Sequence, residues 1–300
     1  MTIDGRAYLR RAYAALPGKL PLFERLRRHF ALPEPLYRHL HFTGSFEVTI
    51  NEEHRFNTFS DASVVENELF WAGLNGWEST SLKVWTALCN GQSGHVLDVG
   101  ANSGTYALIA GAVAPRGQIT AFEPVARNCK VLRRNIALNR FRVAVEQVAV
   151  TAKSGPVVIY DVVDAPLNYS ASLEGQGEHA VAYEVHGISL DNWLAARDDA
   201  PVAAIKIDVE GHEPSVLDGF SHTIRAKSPP ILIEILSENA AKECEERLQG
   251  SQYQRFRIVE QSGIRAADRL AAAEGHDWNW LLCTEQQIQD RKLSDFILRS

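Results

Sequence analysis

The fold is decided by the stretch Val96-Leu97-Asp98-Val99-Gly100-Ala101-Asn102-Ser103-Gly104-Thr105-Tyr106. A short apolar run carries an acid, Asp98, near its end, a loop with two glycines follows, and a predicted helix begins at Tyr106. Glycines at such a turn let the backbone approach a ligand closely, and the first turn of a helix offers free N–H groups. The stretch therefore predicts the first strand, turn and helix of a nucleotide-type site on a doubly wound α/β sheet.

A second acid stands at the end of the next predicted strand. Residues 118–122 are predicted to be that strand, and Glu123-Pro124 follows directly. The interval between Gly104 and Glu123 leaves room for one helix, predicted over residues 106–114. In doubly wound folds an acid at this position holds the hydroxyls of a ribose. The sequence thus predicts a ribose-binding carboxylate at Glu123.

The glycine spacing excludes two common nucleotide sites. The glycines stand as Gly100-x-x-x-Gly104, which is neither G-x-G-x-x-G nor a P-loop, since no Lys-Ser/Thr follows Gly104. A nicotinamide-dependent oxidoreductase would share the sheet and the acid, but its glycine spacing should differ, and no Tyr-x-x-x-Lys pair is present. From these residues alone, an ordinary turn between a strand and a helix stays open as an alternative.

With an acid two residues before Gly100, the loop resembles motif I of the S-adenosylmethionine-dependent methyltransferases. Several further blocks follow in order and resemble the FkbM methyltransferase family: Ala121-Phe122-Glu123-Pro124, residues 132–139, Ser189-Leu190-Asp191-Asn192-Trp193-Leu194, residues 205–213, and Pro230-Ile231-Leu232-Ile233-Glu234-Ile235. Together they cover roughly residues 78 to 236. The resemblance implies a Rossmann-like class I methyltransferase sheet with helices on both faces, and S-adenosylmethionine as the cofactor.

The resemblance also implies which residues would bind the cofactor. Asp98 and the loop 100–105 would hold the methionine portion, and residues 148–149 would lie along the adenine. FkbM-like chains often carry an acid at about the position of Glu78, and Glu78 resembles one that helps hold the methionine end of the cofactor. The alternative is that a Glu in the first turn of a helix simply interacts favourably with the helix dipole. The complete implied set is Glu78, Asp98, Gly100, Asn102, Gly104, Thr105, Glu123, Pro124, Ala149 and Asp208.

Three carboxylates lie within six residues at the end of another predicted strand, residues 203–207. Asp208 follows that strand, and Glu210 and Glu213 come in the next turn and helix. Like charges at short range raise pKa values unless cations or hydrogen-bond donors compensate. Sites tolerate such crowding when they bind an ammonium, a metal or a proton in transit. The alternative is that these acids only cap the following helix.

We expect Asp208, Glu210 or His212 to be catalytic and to accept the proton of an acceptor hydroxyl. If a metal takes part, Asp208, Glu210 and Glu234 would hold Mg²⁺ and orient the acceptor. A polar loop at 168–173 resembles the family's serine-containing loop near the acceptor. The expected acceptor contacts are Ser170, Ser172, Glu213 and Glu234.

The expected reaction is methyl transfer to a hydroxyl, which the family resemblance suggests belongs to a sugar in a glycan or natural product. N-methylation of an amine and a non-catalytic cofactor-binding scaffold remain the alternatives. The crowded acids between Asp208 and Glu213 speak against the scaffold, because a scaffold gains nothing from that crowding.

Composition fits a soluble enzyme of one large α/β domain. The chain has 300 residues, of which 45% are hydrophobic and 23% charged. No apolar run approaches the length of a membrane span, and no secretory signal is visible. The four cysteines are scattered without CxxC spacing, which disfavours a disulfide scaffold or a zinc site and suits the cytoplasm.

Charge is distributed unevenly along the chain. The net charge of −6 argues against general nucleic-acid binding, yet residues 1–41 contain eight Lys/Arg against three Asp/Glu. Two amphipathic helices are predicted there, followed by a hairpin over 42–59, so residues 1–77 form an accessory region before a methyltransferase domain at 78–300. The basic helices would pack on the domain or mediate a homodimer. Alternatively, their basic surface would bind an anionic acceptor or contact an anionic membrane.

Overall fold

The computed structural model describes residues 13–161, 171–172, 181–197, 201–272, 275 and 277–298. The strands of this part are β1 (Thr43–Thr49), β2 (Arg55–Asp61), β3 (Ser93–Val99), β4 (Arg116–Phe122), β5 (Val143–Glu146), β6 (Ala149–Val150), β7 (Gly155–Asp161), β8 (Ala171–Ser172), β9 (Val181–Ile188), β10 (Val202–Ile207), β11 (Ile231–Glu234), β12 (Gln254–Val259), β13 (Gly263–Ala267) and β14 (Asn279–Cys283).

The α-helices of the described residues alternate with these strands. They are α1 (Lys19–His29), α2 (Glu34–Tyr37), α3 (Val64–Ala72), α4 (Ser79–Cys89), α5 (Thr105–Val113), α6 (Ala126–Ala137), α7 (Leu190–Ala195), α8 (Glu213–Asp218), α9 (Ser221–Lys227), α10 (Glu238–Arg247) and α11 (Glu285–Asp290). Short 3₁₀ turns cover Gly73–Asn75 and Leu293–Phe296. None of these helices combines the length and the apolar character that crossing a membrane requires.

The main sheet has eight strands in the order β13-β12-β14-β11-β10-β3-β4-β5. The strands from β11 to β5 run parallel, whereas β14, β12 and β13 extend the sheet antiparallel. After β3 the chain adds β4 and β5 on one side, and it later adds β10 and β11 on the other. Open sheets of this kind bind ligands where the strand order reverses, which here is between β3 and β10.

The predicted doubly wound α/β class is confirmed, and it follows from apolar side chains on both faces of the central strands. In β3, Val96 belongs to one buried apolar cluster, whereas Leu97 and Val99 belong to another on the opposite face. Successive side chains of a strand alternate between faces, so a strand covered on both sides needs apolar side chains on both of its faces. The four cysteines are free and buried within these layers.

One predicted strand is divided in the structure. Residues 143–150 are predicted to be a single strand, but Val143–Glu146 pairs with β4 in the main sheet, while Ala149–Val150 pairs with β9. This β9 belongs to a second, four-stranded sheet in the order β6-β9-β7-β8. The prediction of one strand was wrong because a continuous β-type pattern does not reveal that its two halves join different sheets.

The predicted hairpin near residues 42–59 is confirmed as β1 and β2, which pair antiparallel from Thr43 with Asp61 to Thr49 with Arg55. Its aromatic side chains Phe46 and Phe56 lie in the same buried cluster as Trp85 of α4. The described part of the N-terminal region therefore shares a core with the α/β sheet.

The basic side of α1 is only partly in solvent. Arg25 and Arg28 are exposed, but Arg27 donates a hydrogen bond to the carbonyl oxygen of Phe70 at 2.9 Å, and its guanidinium lies 4.2 Å from the centre of that ring. Phe30 is 61% exposed, because α1 ends at His29 and the backbone is extended at Phe30. The helix thus packs through Phe23 and Arg27.

A buried amide connects the hairpin to the glycine loop. The side chain of Asn135, on α6, accepts a hydrogen bond from the backbone N–H of Phe59 at 3.2 Å and donates one to the carbonyl oxygen of Ser103 at 2.9 Å. Asn135 is fully buried. Because β2 and the loop after β3 are far apart in sequence, this side chain fixes their relative position.

Replacing Asn135 by Leu is expected to lower the free energy of unfolding by about 2–4 kcal/mol, because two buried backbone groups lose their partners. Denaturant unfolding followed by circular dichroism measures the change. Asn239→Leu, which makes the same replacement at an exposed position of α10, should change stability by less than about 0.5 kcal/mol. Equal stability of the two variants would contradict the bridging role.

Candidate active site

A cavity of about 480 Å³ lies at the carboxyl edge of the parallel strands, where the strand order reverses. This volume falls within the range of small-molecule sites. The cavity is lined by residues that follow successive strands, together with residues from the N-terminal region and the C-terminal strands. Of the residues expected to form the site, those lining it are Glu78, Gly100, Asn102, Thr105, Glu123, Pro124, Ala149, Asp208, Glu210 and Glu234.

The glycine loop is held against the end of β10. Gly100 has φ +80°, and a Cβ atom at this position would lie 1.7 Å from the carbonyl oxygen of Asp208. The N–H of Asp208 in turn donates to the carbonyl oxygen of Val99 at 3.0 Å. Only glycine combines this backbone angle with so close an approach. The first glycine therefore allows two strand ends to meet at the cavity.

Glu123 bridges the glycine loop and the turn after β4. Its Oε2 accepts the N–H of Asn102 at 2.9 Å, and its Oε1 accepts the N–H of Val125 at 2.9 Å and the amide of Asn128 at 3.3 Å. Burial raises the pKa of Glu123 to about 7, although these hydrogen bonds oppose the shift. The carboxyl is thus fixed in place and still lines the cavity, as a ribose-binding group requires.

Asp98 lies beneath the cavity and does not line it. Its side chain is 2% exposed, and its Oδ2 has no hydrogen-bond partner among the described residues. Burial raises the pKa of Asp98 to about 7, while the Lys206 ammonium and the N–H of Ala107 oppose the shift. Asp98 therefore sits under the start of α5 and supports the loop from below.

Glu78 reaches the cavity from the residue before α4. Its backbone is left-handed, with φ +42°, and its carboxylate accepts a hydrogen bond from the hydroxyl of Tyr106. Burial raises the pKa of Glu78 to about 7, and the nearby Lys206 opposes this. Glu78 is the N-cap residue of α4, and its side chain makes no capping hydrogen bond to that helix.

A buried lysine lies among the acids. The Nζ atom of Lys206 donates to Asp208 Oδ2 and to Asn279 Oδ1, both at 3.2 Å, and the side chain is 1% exposed. Burial alone would lower the pKa of Lys206, but the carboxylates of Asp208, Glu78 and Glu234 outweigh it and raise the pKa. This ammonium compensates the charge crowding that the sequence predicts.

Glu234 shares the site with Asp208. Burial raises the pKa of Glu234 far above its usual range, the charge of Asp208 adds to the shift, and Lys206 opposes it. The raised pKa favours the protonated form of Glu234 beside Asp208 and Lys206.

The sequence of the chain also matches a known protein family. Residues 98–259, more than half of the chain, match the model of the methyltransferase FkbM domain. The chain belongs to the FkbM methyltransferase family. No curated protein sequence matches it significantly.

Solved structures with similar folds include an FkbM methyltransferase from Methylobacillus flagellatus, at 19% identity and a TM-score of 0.40, over 63% of this chain and 43% of that chain. A Thermotoga maritima S-adenosylmethionine-dependent O-methyltransferase has 15% identity and a TM-score of 0.38, over 68% and 63% of the two chains. The Aeropyrum pernix fibrillarin, solved with natively bound S-adenosyl-L-methionine, has 13% identity and a TM-score of 0.38, over 68% and 76%. The FkbM-family chain thus spans less than half of the first of these proteins.

Two expected site residues of this FkbM-family chain lie outside the cavity. The Nε2 atom of His212 lies 3.1 Å from the Thr151 hydroxyl, and His212 does not line the cavity. Glu213 is fully buried, and its Oε1 accepts the N–H groups of Val209 and Gly211 at 3.1 Å each. Glu213 therefore orders the turn after β10; it lies in the first turn of α8, and both N–H groups that it accepts precede that helix.

Gly104, Ser170 and Ser172 were also expected at the site. Gly104 has φ +99° and faces Leu132, outside the cavity lining. Ser170 lies outside the described residues, and Ser172 is described only as part of β8. Within the part of the chain that the structure describes, no three His, Cys, Asp or Glu residues are placed to hold a metal ion. Asp208, Glu210 and Glu234, named for the case that a metal takes part, are not placed as such a group, and the nearby cation is Lys206.

Several residues of the FkbM-family site were not anticipated. Lys206, Tyr106, Trp77, Trp278 and the segment 63–65 surround or line the cavity. A signal for Lys206 was available, because a lysine between Ile205 and Ile207 in a strand buried on both faces must be paired. No comparable signal exists for Trp278, which comes from a C-terminal part of the chain without a recognised motif.

Proposed function

We propose that the chain is an S-adenosylmethionine-dependent O-methyltransferase. The observation that carries this proposal is that the glycine loop, Glu123 and the turn 208–210 line a single cavity at the strand-order reversal of a chain in the FkbM methyltransferase family. Three separate blocks of sequence thus contribute to one ligand site.

The residues present fit this cofactor. Glu123 lines the cavity as a fixed carboxyl for the ribose hydroxyls, and Glu78 offers an acid for the ammonium of the methionine portion. Ala149 and Phe122 add apolar surface for the adenine. Oδ1 of Asn102, buried and without a hydrogen-bond partner among the described residues, belongs to the loop expected to hold the methionine portion. Such buried polar atoms call for a partner in the ligand.

We assign Asp208 as the group that accepts the proton in this reaction. When bound, the cofactor supplies an electrophilic methyl group on a sulfonium. Asp208 lines the cavity, and the Lys206 ammonium compensates its charge, so this carboxylate can take the proton that an acceptor hydroxyl loses as its oxygen is methylated. Burial raises the pKa of Glu234, which favours its protonated form and makes it the poorer proton acceptor. His212 receives no role, because it faces Thr151.

The acceptor is a hydroxyl compound, and the family resemblance favours a sugar hydroxyl in a glycan or natural product. A hydroxyl must lose a proton as it is methylated, and Asp208, which lines the cavity and pairs with Lys206, meets that need. This is why we favour O-methylation over methylation of a neutral amine.

Glu123→Gln is expected to weaken S-adenosylmethionine binding by tenfold or more. A hydrogen bond to a charged group contributes about 1.5–3 kcal/mol, and the new amide would also face the N–H groups of Asn102 and Val125. Isothermal titration calorimetry at pH 8, where the Glu123 carboxyl is mostly ionised, measures the affinity.

Glu146→Gln is the matched control, because Glu146 ends the neighbouring strand β5 but does not line the cavity. This control should bind the cofactor with unchanged affinity. If Glu123→Gln also binds as the parent does, Glu123 is not the ribose-binding group. Absence of cofactor binding by the folded parent protein would overturn the proposed function itself.

A further inference from the structure

The first turn of α4 is capped by a residue far along the chain. Although Glu78 is the N-cap residue, its side chain makes no capping hydrogen bond. Instead, the carboxylate of Glu260, directly after β12, accepts the N–H of Thr80 at 2.7 Å and the hydroxyl of Ser81. The N–H groups at the start of a helix need acceptors, and a carboxylate there is favourable. Because Glu260 supplies the cap, the side chain of Glu78 remains available to the cavity.

Two further hydrogen bonds hold Glu260 in place. The hydroxyl of Thr80 donates to the carbonyl oxygen of Val259 at 3.1 Å, so α4 also binds the residue before Glu260. The N–H of Glu260 donates to Asp277 Oδ1 at 3.0 Å, and Asp277 directly precedes Trp278, which lines the cavity. The start of α4 is therefore fixed to the C-terminal part of the chain that forms the cavity wall.

Glu260 lies behind the cavity and does not line it, whereas Glu78 does. Burial is the largest cause of the raised pKa of Glu78, and the charges of Asp208 and Glu260 add to it. The two glutamates are thus close enough to interact, and they lie on either side of the first turn of α4. An effect of Glu260 on a ligand must pass through the residues that it holds.

A second carboxylate makes the same kind of cap elsewhere in the chain. Asp191 accepts the N–H groups of His222 and Thr223 at 2.8 and 3.1 Å, and the Thr223 hydroxyl at 2.7 Å, at the start of α9. None of these three residues lines the cavity. Of the two capping carboxylates, Glu260 is the one that is joined to residues of the site, and Asp191 provides a matched control.

We propose that Glu260 is a positioning residue for cofactor binding, which acts by holding Glu78 at the cavity. The inference rests on the proposed function, in which Glu78 offers its carboxyl to the ammonium of S-adenosylmethionine. A binding group must be held to within about 0.5 Å of its productive position by the packing and hydrogen bonds of the residues behind it. Glu260 provides such support, because it fixes the backbone two residues after Glu78.

Glu260→Ala is expected to weaken S-adenosylmethionine binding about tenfold, because the first turn of α4 loses the acceptor that fixes it. Glu260→Gln should restore the affinity to within about threefold of the parent. Its amide oxygen can accept the N–H of Thr80, and its amide N–H can donate to the hydroxyl of Ser81. Isothermal titration calorimetry on the full chain measures these affinities. Asp191→Ala should lower the melting temperature by a similar amount and leave the affinity unchanged.

A double-mutant cycle tests whether Glu260 acts through Glu78. In a Glu78→Gln background, Glu260→Ala should weaken binding by less than about twofold, because the carboxyl that Glu260 positions is already gone. A merely structural role would lower the affinity by the same factor in both backgrounds. Equal losses in the two backgrounds, no rescue by Glu260→Gln, or an equal loss for Asp191→Ala would each overturn the inference.

Hydrogen exchange of the ligand-free protein, followed by mass spectrometry, distinguishes this inference from the proposed function. Glu260→Ala should speed the exchange of the amides in residues 77–84 about fivefold or more, whereas Asp191→Ala should speed that of residues 221–227 instead. Unchanged exchange over 77–84 in Glu260→Ala would overturn the inference. Absence of S-adenosylmethionine binding by the folded parent would overturn the proposed function, and the exchange rates would still show whether Glu260 holds the segment that carries Glu78.

Discussion

Gly100→Ala is expected to lower the free energy of unfolding by about 4 kcal/mol and to abolish measurable cofactor binding. The added Cβ would lie 1.7 Å from the carbonyl oxygen of Asp208, so β3 and β10 must separate at the cavity or the loop must move. Backbone displacement of this kind costs about 1–3 kcal/mol, and the left-handed φ of +80° adds a further penalty for a residue with a side chain. Chemical denaturation and calorimetry with S-adenosylmethionine measure the two effects.

Gly91→Ala separates the steric clash of the added Cβ atom from the energetic cost of a left-handed φ angle. Gly91 has a similar φ of +68°, but a Cβ there would meet nothing within 4 Å. This control should lose only about 1–2 kcal/mol and keep its cofactor affinity. If the two alanine variants behave alike, the close approach of Gly100 to Asp208 does not shape the site.

Lys206→Met is expected to destabilise the protein by about 3–5 kcal/mol at pH 8. Removing one partner of a buried ion pair leaves the other charge uncompensated, which costs far more than the pair itself contributes. Here the carboxyl groups that lose the compensating charge are those of Asp208 and Glu78, which both act on the missing ammonium. Methionine has nearly the same length, so the change in packing is small.

The same variant should show a characteristic pH dependence. Lys206 opposes the raised pKa of Glu78, about 7, so its removal raises that pKa further above the unfolded value near ~4.3. A group with a raised folded pKa stabilises the protein below the unfolded pKa and loses that stabilisation as pH rises through the folded pKa. The contribution of Glu78 to the difference between parent and variant should therefore be small near pH 5 and larger at pH 8.

Thermal or denaturant unfolding at both pH values provides the measurement. Lys206 has a raised pKa and remains protonated throughout this range in both states, so its own titration does not contribute. Lys242→Met, at an exposed position of α10, should change stability by less than about 0.5 kcal/mol at either pH. A loss for Lys206→Met that is independent of pH would show that the lysine acts through packing and not through the carboxylates.

The sequence alone determined the fold class and one edge of the site. Val96 to Tyr106 and the acid at Glu123 predicted a strand, a loop, a helix and a second strand, because alternating apolar runs and glycine positions are local properties of the chain. The carboxyl ends of parallel strands share one edge, so the positions of Gly100, Glu123 and Asp208 near one another also followed from topology.

The tertiary structure decided which acids face the cavity and in what state. His212 and Glu213 lie within five residues of Asp208, yet one bonds Thr151 and the other holds the turn after β10. A turn can send neighbouring side chains in opposite directions, and spacing in sequence does not reveal which.

The sequence pattern likewise did not reveal which groups compensate the negative charge of the acids. Lys206 meets Asn279 from a strand far along the chain, and Trp77 and Trp278 line the same cavity although they are far apart in sequence. Burial and charge at a point depend on every segment that folds over it. The residue types of each sequence motif are therefore set locally. The protonation of those residues, their neighbours and the cavity they face are set by the packing of distant segments.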